Sequence, residues 1–304
     1  MRKIFWAVTF CLMMILSTTA SAAGSYEIET LREAMLANSG EDDRVFHEDL
    51  LFFIPSVQSE LELFGTTEKG VFKSAGEVNI WVTSANGVST ELSVPFYAVQ
   101  NGKEMKVYFQ MDKKWYQFQS PAVAAAVTDV VASPTNAELE EMLSETKTIT
   151  ILRDTDTQRT FLVRLDGEKI AESMKKEFEK NPITNLKADE KAIQDKFMGY
   201  LETGLKNAEM WYTWTVSKKD GKTMTLAIHL SNLLQEVAIA ALNDKDQVWP
   251  EEIREILESV AYYSEMKSYT TFLNADAKQR LEVPKNVLKA KQVERISDAG
   301  KDKK

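Results

Sequence analysis

Apolar and polar side chains alternate through much of the first half of the chain, and a period of two predicts β-strands. Between about residues 57 and 119 this alternation is clearest at 78–82 and 105–111. Asn-Gly pairs at 86–87 and 101–102 separate the runs, and both residue types tolerate the positive φ of tight hairpin turns. The pattern therefore predicts a meander of antiparallel strands.

Pro95 interrupts one of these runs, at residues 92–99. Proline has no backbone N–H to donate to a neighbouring strand. We therefore expect this strand to lie at a sheet edge there or to carry a bulge.

The second half of the chain repeats a pattern of two short strands followed by an amphipathic helix. These hairpin-helix units lie near residues 148–180 and 210–243, and Ser231 is positioned to cap the second helix. A strand near 264–273 and another near 279–284 are expected to close the domain. Helical spacing predicts further helices at 27–37, after Pro121, at 137–143, through 193–201 and from Pro250, where Ile253, Ile256, Leu257 and Val260 form the expected buried stripe.

Because hairpins dominate, these elements predict an α+β fold with an antiparallel sheet and helices gathered on one side. The strand at 211–216 carries apolar or aromatic residues on both faces. A sheet with one fully hydrated face would not show that pattern.

The first 23 residues have the three parts of a secretory signal peptide: a basic start, an apolar run at residues 4–16 and a small-residue end. We expect cleavage near Ala22 or Ala23, leaving one domain over residues 24–292 and a polar, disordered tail over 293–304. The apolar run is too short to cross a bilayer, and Cys11 lies inside it rather than at a lipid-attachment site. The protein is therefore predicted to be exported to the periplasm or the extracellular cell envelope, without a transmembrane anchor.

The composition narrows the possible partners. The 304 residues include 37 basic and 46 acidic side chains, a formal net charge of −9, so an acidic surface would repel a nucleic acid. The single cysteine lies in the predicted signal peptide, so the mature chain can form no disulfide within itself. We expect no nucleic-acid partner.

Four stretches resemble exported bacterial proteins of the LolA/LppX-like superfamily, especially the LolA-like proteins of Firmicutes type. They are the signal peptide, the strands at 105–109 and 114–116, the strand running into a helix at 161–167, and the closing segment 281–290. The resemblance implies a strongly curved antiparallel sheet, an unclosed barrel, with helices on its concave side. It also implies a carrier that holds lipid or a lipoprotein acyl chain. The chain departs from lipoprotein members because it has no lipid-attachment cysteine, and its second hairpin-helix unit has no clear counterpart.

Catalytic and metal-binding patterns are weak in this sequence. His47 and His229 are the only histidines, and a lone imidazole without a placed nucleophile or carboxylate is not a catalytic set. The acidic residues at 154–156 and 41–43 do not follow a calcium-binding loop, and turn formation explains them better. We expect no cofactor, no metal and no enzymatic activity.

Strand-borne aromatic residues are the candidates for contact with an apolar ligand, although such residues more often simply form a core. The leading hypothesis is a non-catalytic carrier whose sheet leaves apolar space under the helices. A cell-envelope protein-interaction module with a filled core is the alternative, and an envelope hydrolase is a further one. The candidate lining residues are Trp81, Phe109, Trp115, Trp211, Trp214 and Phe272.

Overall fold

The structure, a computed structural model, is dominated by one sheet of twelve strands. Eleven strands pair antiparallel with their neighbours, and the short last strand pairs in parallel with β6. The described part of the chain comprises residues 25–38, 44–54, 57–68, 71–83, 87–101, 104–120, 140, 143–180, 188–273 and 281–293.

The first half of the sheet is the predicted meander, extended by one strand at its start. Each strand is hydrogen-bonded to the next one in the chain, which is the pairing that short hairpin loops favour. The strands are β1 (Arg44–Ile54), β2 (Val57–Glu68), β3 (Val71–Thr83), β4 (Ser89–Asn101), β5 (Glu104–Met111) and β6 (Lys114–Ser120).

The second half contains both predicted hairpin-helix units and the strand that closes the sheet. Its strands are β7 (Thr146–Asp154), β8 (Gln158–Leu165), β9 (Trp211–Ser217), β10 (Thr223–His229), β11 (Glu265–Leu273) and β12 (Lys291–Gln292). The described helices are α1 (Ser25–Asn38), α2 (Gly167–Lys180), α3 (Ala188–Asn207), α4 (Ser231–Leu242) and α5 (Glu251–Tyr263), with a 3-10 turn at Val287–Lys289.

Strand β1 joins the two halves by pairing with β2 on one side and β11 on the other. The strand order is β12-β6-β5-β4-β3-β2-β1-β11-β10-β9-β8-β7, so β7 and β12 are the outermost of the described strands and the sheet that they bound is not closed. The predicted α+β class and open antiparallel sheet are confirmed.

Helices pack on one face of the second half and form the main core with it. Phe161 and Val163 of β8 are fully buried, as are Leu205 of α3 and Leu233 of α4. Helix α1 adds Leu31 to the same cluster. Burial of large apolar side chains on both sides of this contact stabilises this half of the domain.

The central strand β1 was missed because its pattern does not alternate cleanly. Its last five residues, Leu50 to Ile54, are all apolar, so a period of two disappears there. The predicted strand near 279–284 is wrong for its described residues, 281–284, which have no strand structure. The carbonyl of Pro284 instead accepts hydrogen bonds from the N–H groups of Val287 and Leu288, which starts the 3-10 turn.

Two details of the predicted helices need correction. Ser231 is the first residue of α4 but does not cap it, because its Oγ accepts a hydrogen bond from the N–H of Met266 in β11 at 3.0 Å. In α5 the side chain of Ile256 is 50% exposed, and Ala261 is the buried residue of that helix. The serine therefore joins α4 to the sheet, and the buried stripe of α5 is narrower than expected.

Turn chemistry agrees with the pattern at several corners. Gly87 and Gly221 have positive φ, as tight turns require.

Pro95 pairs with Glu77 of β3, and the pairing of β4 with β5 begins only at Phe96, so the proline lies where β4 locally becomes an edge.

Several predictions lie outside the described residues: the signal peptide, the helix after Pro121, most of the helix at 137–143 and the tail beyond residue 293. The described part of the chain ends at residue 293, at the start of the predicted tail. Val293 is buried beside Phe109 and Tyr116, and its N–H donates to the carbonyl of Gln117 at 2.8 Å.

Candidate apolar binding face

The strand register shows which residues share a face of the sheet. Side chains alternate between faces along a strand, and directly paired residues on neighbouring strands point to the same face. Starting from the core residue Trp214, pairing runs through Leu226, Thr270 and Glu48 to Leu63 and onwards to Gly76, Phe96, Phe109 and Tyr116. We call the side that contains this row the apolar face.

On the first meander the apolar face is hydrophobic over five consecutive strands. Few polar side chains interrupt it, and the opposite face carries most of the charged residues of these strands. Its apolar members are Phe46, Leu50, Phe52 and Ile54 of β1, Val57, Leu61 and Leu63 of β2, Phe72, Val78, Ile80 and Val82 of β3, Leu92, Val94, Phe96 and Ala98 of β4, and Met105, Val107, Phe109 and Met111 of β5.

Described helices cover this face unevenly. The chief contacts between described helices and the sheet lie on β1, β7 and β11, while the 3-10 turn lies against β6. On β2 and β3 the side chains of Leu61, Leu63 and Ile80 are half-buried. Val82 is 46% exposed and Leu92 is 45% exposed. On β5 the apolar-face residues Met105 and Phe109 are buried. The apolar face of β1–β4 therefore carries hydrophobic side chains that remain partly exposed in the described part of the chain.

Two glycines shape the apolar face where β1, β2 and β3 meet. The ring of Phe46 lies over Gly65, where a Cβ would come within 2.7 Å of its ring carbons, and stacks against Phe72 at 6.1 Å. A Cβ on Gly76 would overlap the backbone of β2, coming within 2.8 Å of Leu63 Cα. Glycine inside a strand allows such a close approach of a neighbouring ring or backbone.

Glu48 is the exception to the hydrophobic character of this face. Among the positions on the apolar face of β1–β5 whose side chains the structure describes, it is the charged one. It lies between Leu63 of β2 and Thr270 of β11, and its Oε1 accepts a hydrogen bond from Ser268 Oγ at 2.9 Å. Burial raises the pKa of the Glu48 carboxyl and nearby Asp49 adds to the rise, while the Ser268 hydrogen bond opposes it.

The six aromatic residues singled out from the sequence do not share one face. Phe109, Trp214 and Phe272 lie on the apolar face, and the register places the other three on the opposite face. These three are Trp81, Trp115 and Trp211. The sequence pattern does not separate them, because the strands that carry them have aromatic residues in both phases of their alternation.

Their surroundings also differ. Trp214 is buried against Phe161 at 6.2 Å and donates its Nε1–H to Thr223 Oγ1 at 3.0 Å. Phe109 is buried in the cluster with Tyr116. Phe272 is half-buried against Phe46, so it is the member of the set that borders the partly covered area.

The opposite face of β1 and β2 brings together His47, Asp49 and Glu62. His47 Nε2 lies 3.2 Å from Glu62 Oε1, and the three residues could each offer one ligand atom to a metal within 4.8 Å of the others. All three side chains are more than a third exposed, and Glu62 already contacts the imidazole. This geometry is also that of an ordinary surface ion-pair cluster.

His229 stacks on Trp211, with ring centroids 3.7 Å apart, beside a depression of about 350 Å³. Burial and the nearby Lys267 lower the pKa of this histidine. Ser231 lines the same depression, but its Oγ is engaged by the backbone of Met266. Among the described residues no hydrogen bond joins His229 to Ser231 or to a carboxylate, so the hydrolase alternative gains no support.

A second depression, of about 420 Å³, lies between α3 and α4. Lys196, Tyr200 and Asp244 meet there, and Tyr200 Oη donates to Asp244 Oδ2 at 2.6 Å. Burial first, and then the neighbouring carboxylate, raises the pKa of Tyr200 to about 12. These three groups satisfy one another, while Ile239 and Ala240 line the same depression with apolar side chains.

No family model matches the sequence, and no curated protein matches it. Among solved structures, the crystal structure of LprF from Mycobacterium bovis is similar to this chain with a TM-score of 0.40 and 12% sequence identity. The match covers 87% of this chain and 99% of that one. A similarity of this degree assigns no ligand and no site residue.

No described helix is long and apolar enough to cross a membrane. The distinctive feature of the described part of the chain is the partly covered apolar face of β1–β5 with one carboxyl at its border. Sequence reasoning missed this face because its members lie on five strands. The signal that could have found it was the phase of each alternating run.

Proposed function

We propose that the protein is an exported, non-catalytic binding protein that holds an apolar ligand, such as a lipid or a lipoprotein acyl chain, against the partly exposed apolar face of β1–β4. The observation that carries the proposal is the hydrophobic surface on which Val82 and Leu92 are exposed and Leu61 is half-buried. Contiguous hydrophobic surface of this kind commonly marks a binding site.

The driving force would be removal of hydrocarbon from water. Each buried methylene contributes about 0.8 kcal/mol, so about ten methylenes contribute about 8 kcal/mol before the costs of ordering the ligand. This site differs from the one expected from the sequence. The described C-terminal half is filled by its helices, so the ligand would lie over the first meander.

The test uses the mature chain and the neutral apolar dye N-phenyl-1-naphthylamine, whose fluorescence rises in a dry environment. Two variants place glutamine on the same strand: Leu61→Gln on the apolar face and Glu60→Gln on the opposite face. We expect Leu61→Gln to weaken dye binding about tenfold because it puts an amide into the hydrophobic contact. Glu60→Gln should leave binding unchanged.

Chemical denaturation of both variants controls for loss of folding. Absence of dye binding to the native protein, or equal weakening by both variants, would contradict the proposal and favour the protein-interaction alternative. Mass spectrometry of an organic extract of protein purified without detergent would then identify the natural ligand.

A further inference from the structure

The apolar face carries a carboxyl group at a position where an apolar residue would fold more easily. Glu48 lies on the central strand β1, with Phe46 and Leu50 two residues to either side on the same face. Its cross-strand neighbour on β2 is Leu63. A carboxylate in such surroundings loses hydration that one hydroxyl donor does not fully replace.

Glu48 lies at the border between the partly covered apolar area and the helix-covered core. Directly paired residues lead from Glu48 through Leu63, Gly76 and Phe96 to Phe109. Four strand spacings separate the ends of this row, roughly 19 Å along the sheet. On the other side of Glu48 the row enters the helix-covered core at Leu226 and Trp214. The carboxyl therefore marks the inner end of the hydrophobic area.

The polar groups beside Glu48 form a small patch with it. Ser268 and Thr270 of β11 lie on the same face, and the Ser268 hydroxyl donates to one carboxyl oxygen. Within a hydrophobic binding site, a few polar groups at one end orient the ligand and select its polar end. A carboxylate accepts hydrogen bonds and repels anions, so it selects for donors.

We propose that Glu48, with Ser268, is the anchor for the polar end of an amphiphilic ligand, and that this end is a hydrogen-bond donor without negative charge, a hydroxyl or an amine. The inference rests on the proposed function, because it requires a hydrocarbon tail on the apolar face. Lipids that end in a free carboxylate or a phosphate monoester at this point are disfavoured. The raised pKa of Glu48 agrees with a carboxyl whose hydration is incomplete without the ligand.

The test compares three probes with the same twelve-carbon chain: dodecylamine, dodecanol and dodecanoate. Each competes against N-phenyl-1-naphthylamine on the mature protein at neutral pH. We expect dodecylamine and dodecanol to displace the dye at concentrations about tenfold or more below dodecanoate. In Glu48→Gln, which keeps an acceptor for Ser268, the ratio of dodecylamine to dodecanoate affinity should fall by about tenfold.

Glu62→Gln is the matched control, because it removes the same charge from the opposite face of the neighbouring strand. It should leave the order of the three probes unchanged and so separates a local contact from the general attraction of an acidic protein for cations. A stability measurement adds a second readout. Without a ligand, the incompletely hydrated Glu48 carboxylate destabilises the folded protein. Glu48→Gln should therefore raise the denaturation midpoint of the ligand-free protein.

Two results would overturn the inference while leaving the proposed function intact. One is dye binding with equal displacement by all three probes or strongest displacement by dodecanoate. The other is a lower denaturation midpoint for Glu48→Gln, which would show that the carboxylate has a stabilising partner within the protein. Absence of dye binding altogether would instead refute the proposed function.

Discussion

Helix α3 contains two glycines at which substitution by alanine is expected to change the stability of the protein in opposite directions. Gly199 is exposed, and a Cβ added there would meet no atom within 4 Å. Gly204 is buried against α4, and a Cβ there would lie 2.9 Å from the backbone nitrogen of Val237 and 3.1 Å from its Cα. Alanine at these positions tests how closely α3 and α4 pack.

Replacing glycine by alanine inside a helix stabilises it by about 0.8–1.0 kcal/mol, because alanine loses less backbone entropy on folding. Gly199→Ala should therefore raise the free energy of unfolding by this amount. At Gly204 the same gain is opposed by overpacking, which costs about 1–3 kcal/mol when neighbouring atoms cannot move aside. Because the backbone of Val237 is in the way, we expect Gly204→Ala to destabilise the protein by about 1 kcal/mol.

The assay is urea unfolding of the mature chain followed by tryptophan fluorescence, with the free energy taken from the midpoint at an unchanged slope. The two variants should differ by about 2 kcal/mol, with the native protein between them. Equal stabilisation by both substitutions would refute the close approach of α3 and α4. A changed slope would mean that the comparison reports on the unfolded state instead.

Two further predictions concern hairpin turns. Asp112 and Lys113, which connect β5 to β6, both have positive φ, so the double change to Asn-Gly should raise the free energy of unfolding by about 1 kcal/mol, measured by urea unfolding. Hydrogen bonds from Arg159 and Lys218 lower the pKa of Asp154 to about 2. The ionised Asp154 carboxylate therefore stabilises the folded protein fully above the ordinary aspartate pKa, and this stabilisation is lost as the pH falls towards 2. Asp154→Asn should therefore lower the denaturation midpoint at pH 6 but have little effect near pH 2; an equal effect at both would contradict the ion pairs.

Much of the fold could be predicted because its signals are local. Alternation at 105–111 and the aromatic strand at 211–217 reflect the pleat of a strand, which any short segment carries by itself. The helical stripe that includes Leu233 and Ala238 reflects the pitch of a helix in the same way. Glycine at position 221 identified a turn because its positive φ is a property of one residue.

The candidate site could not be predicted in this way. The choice among the six aromatic residues depends on which phase of each strand faces the helices, and a shift of one residue in register moves a side chain to the other face. The six are Trp81, Trp115, Trp211, Phe109, Trp214 and Phe272. The central strand β1 was obscured by its apolar end, although it connects both halves of the sheet.

The sequence by itself determined that this chain forms antiparallel hairpins and amphipathic helices, because those patterns depend on residues within a few positions of one another. Only the tertiary structure decided which hydrophobic surface stays partly uncovered and that Glu48 borders it. The hydroxyl that meets this carboxyl belongs to Ser268, 220 residues further along the chain. No local pattern encodes such a pairing, because it is set by the order in which the strands assemble into one sheet.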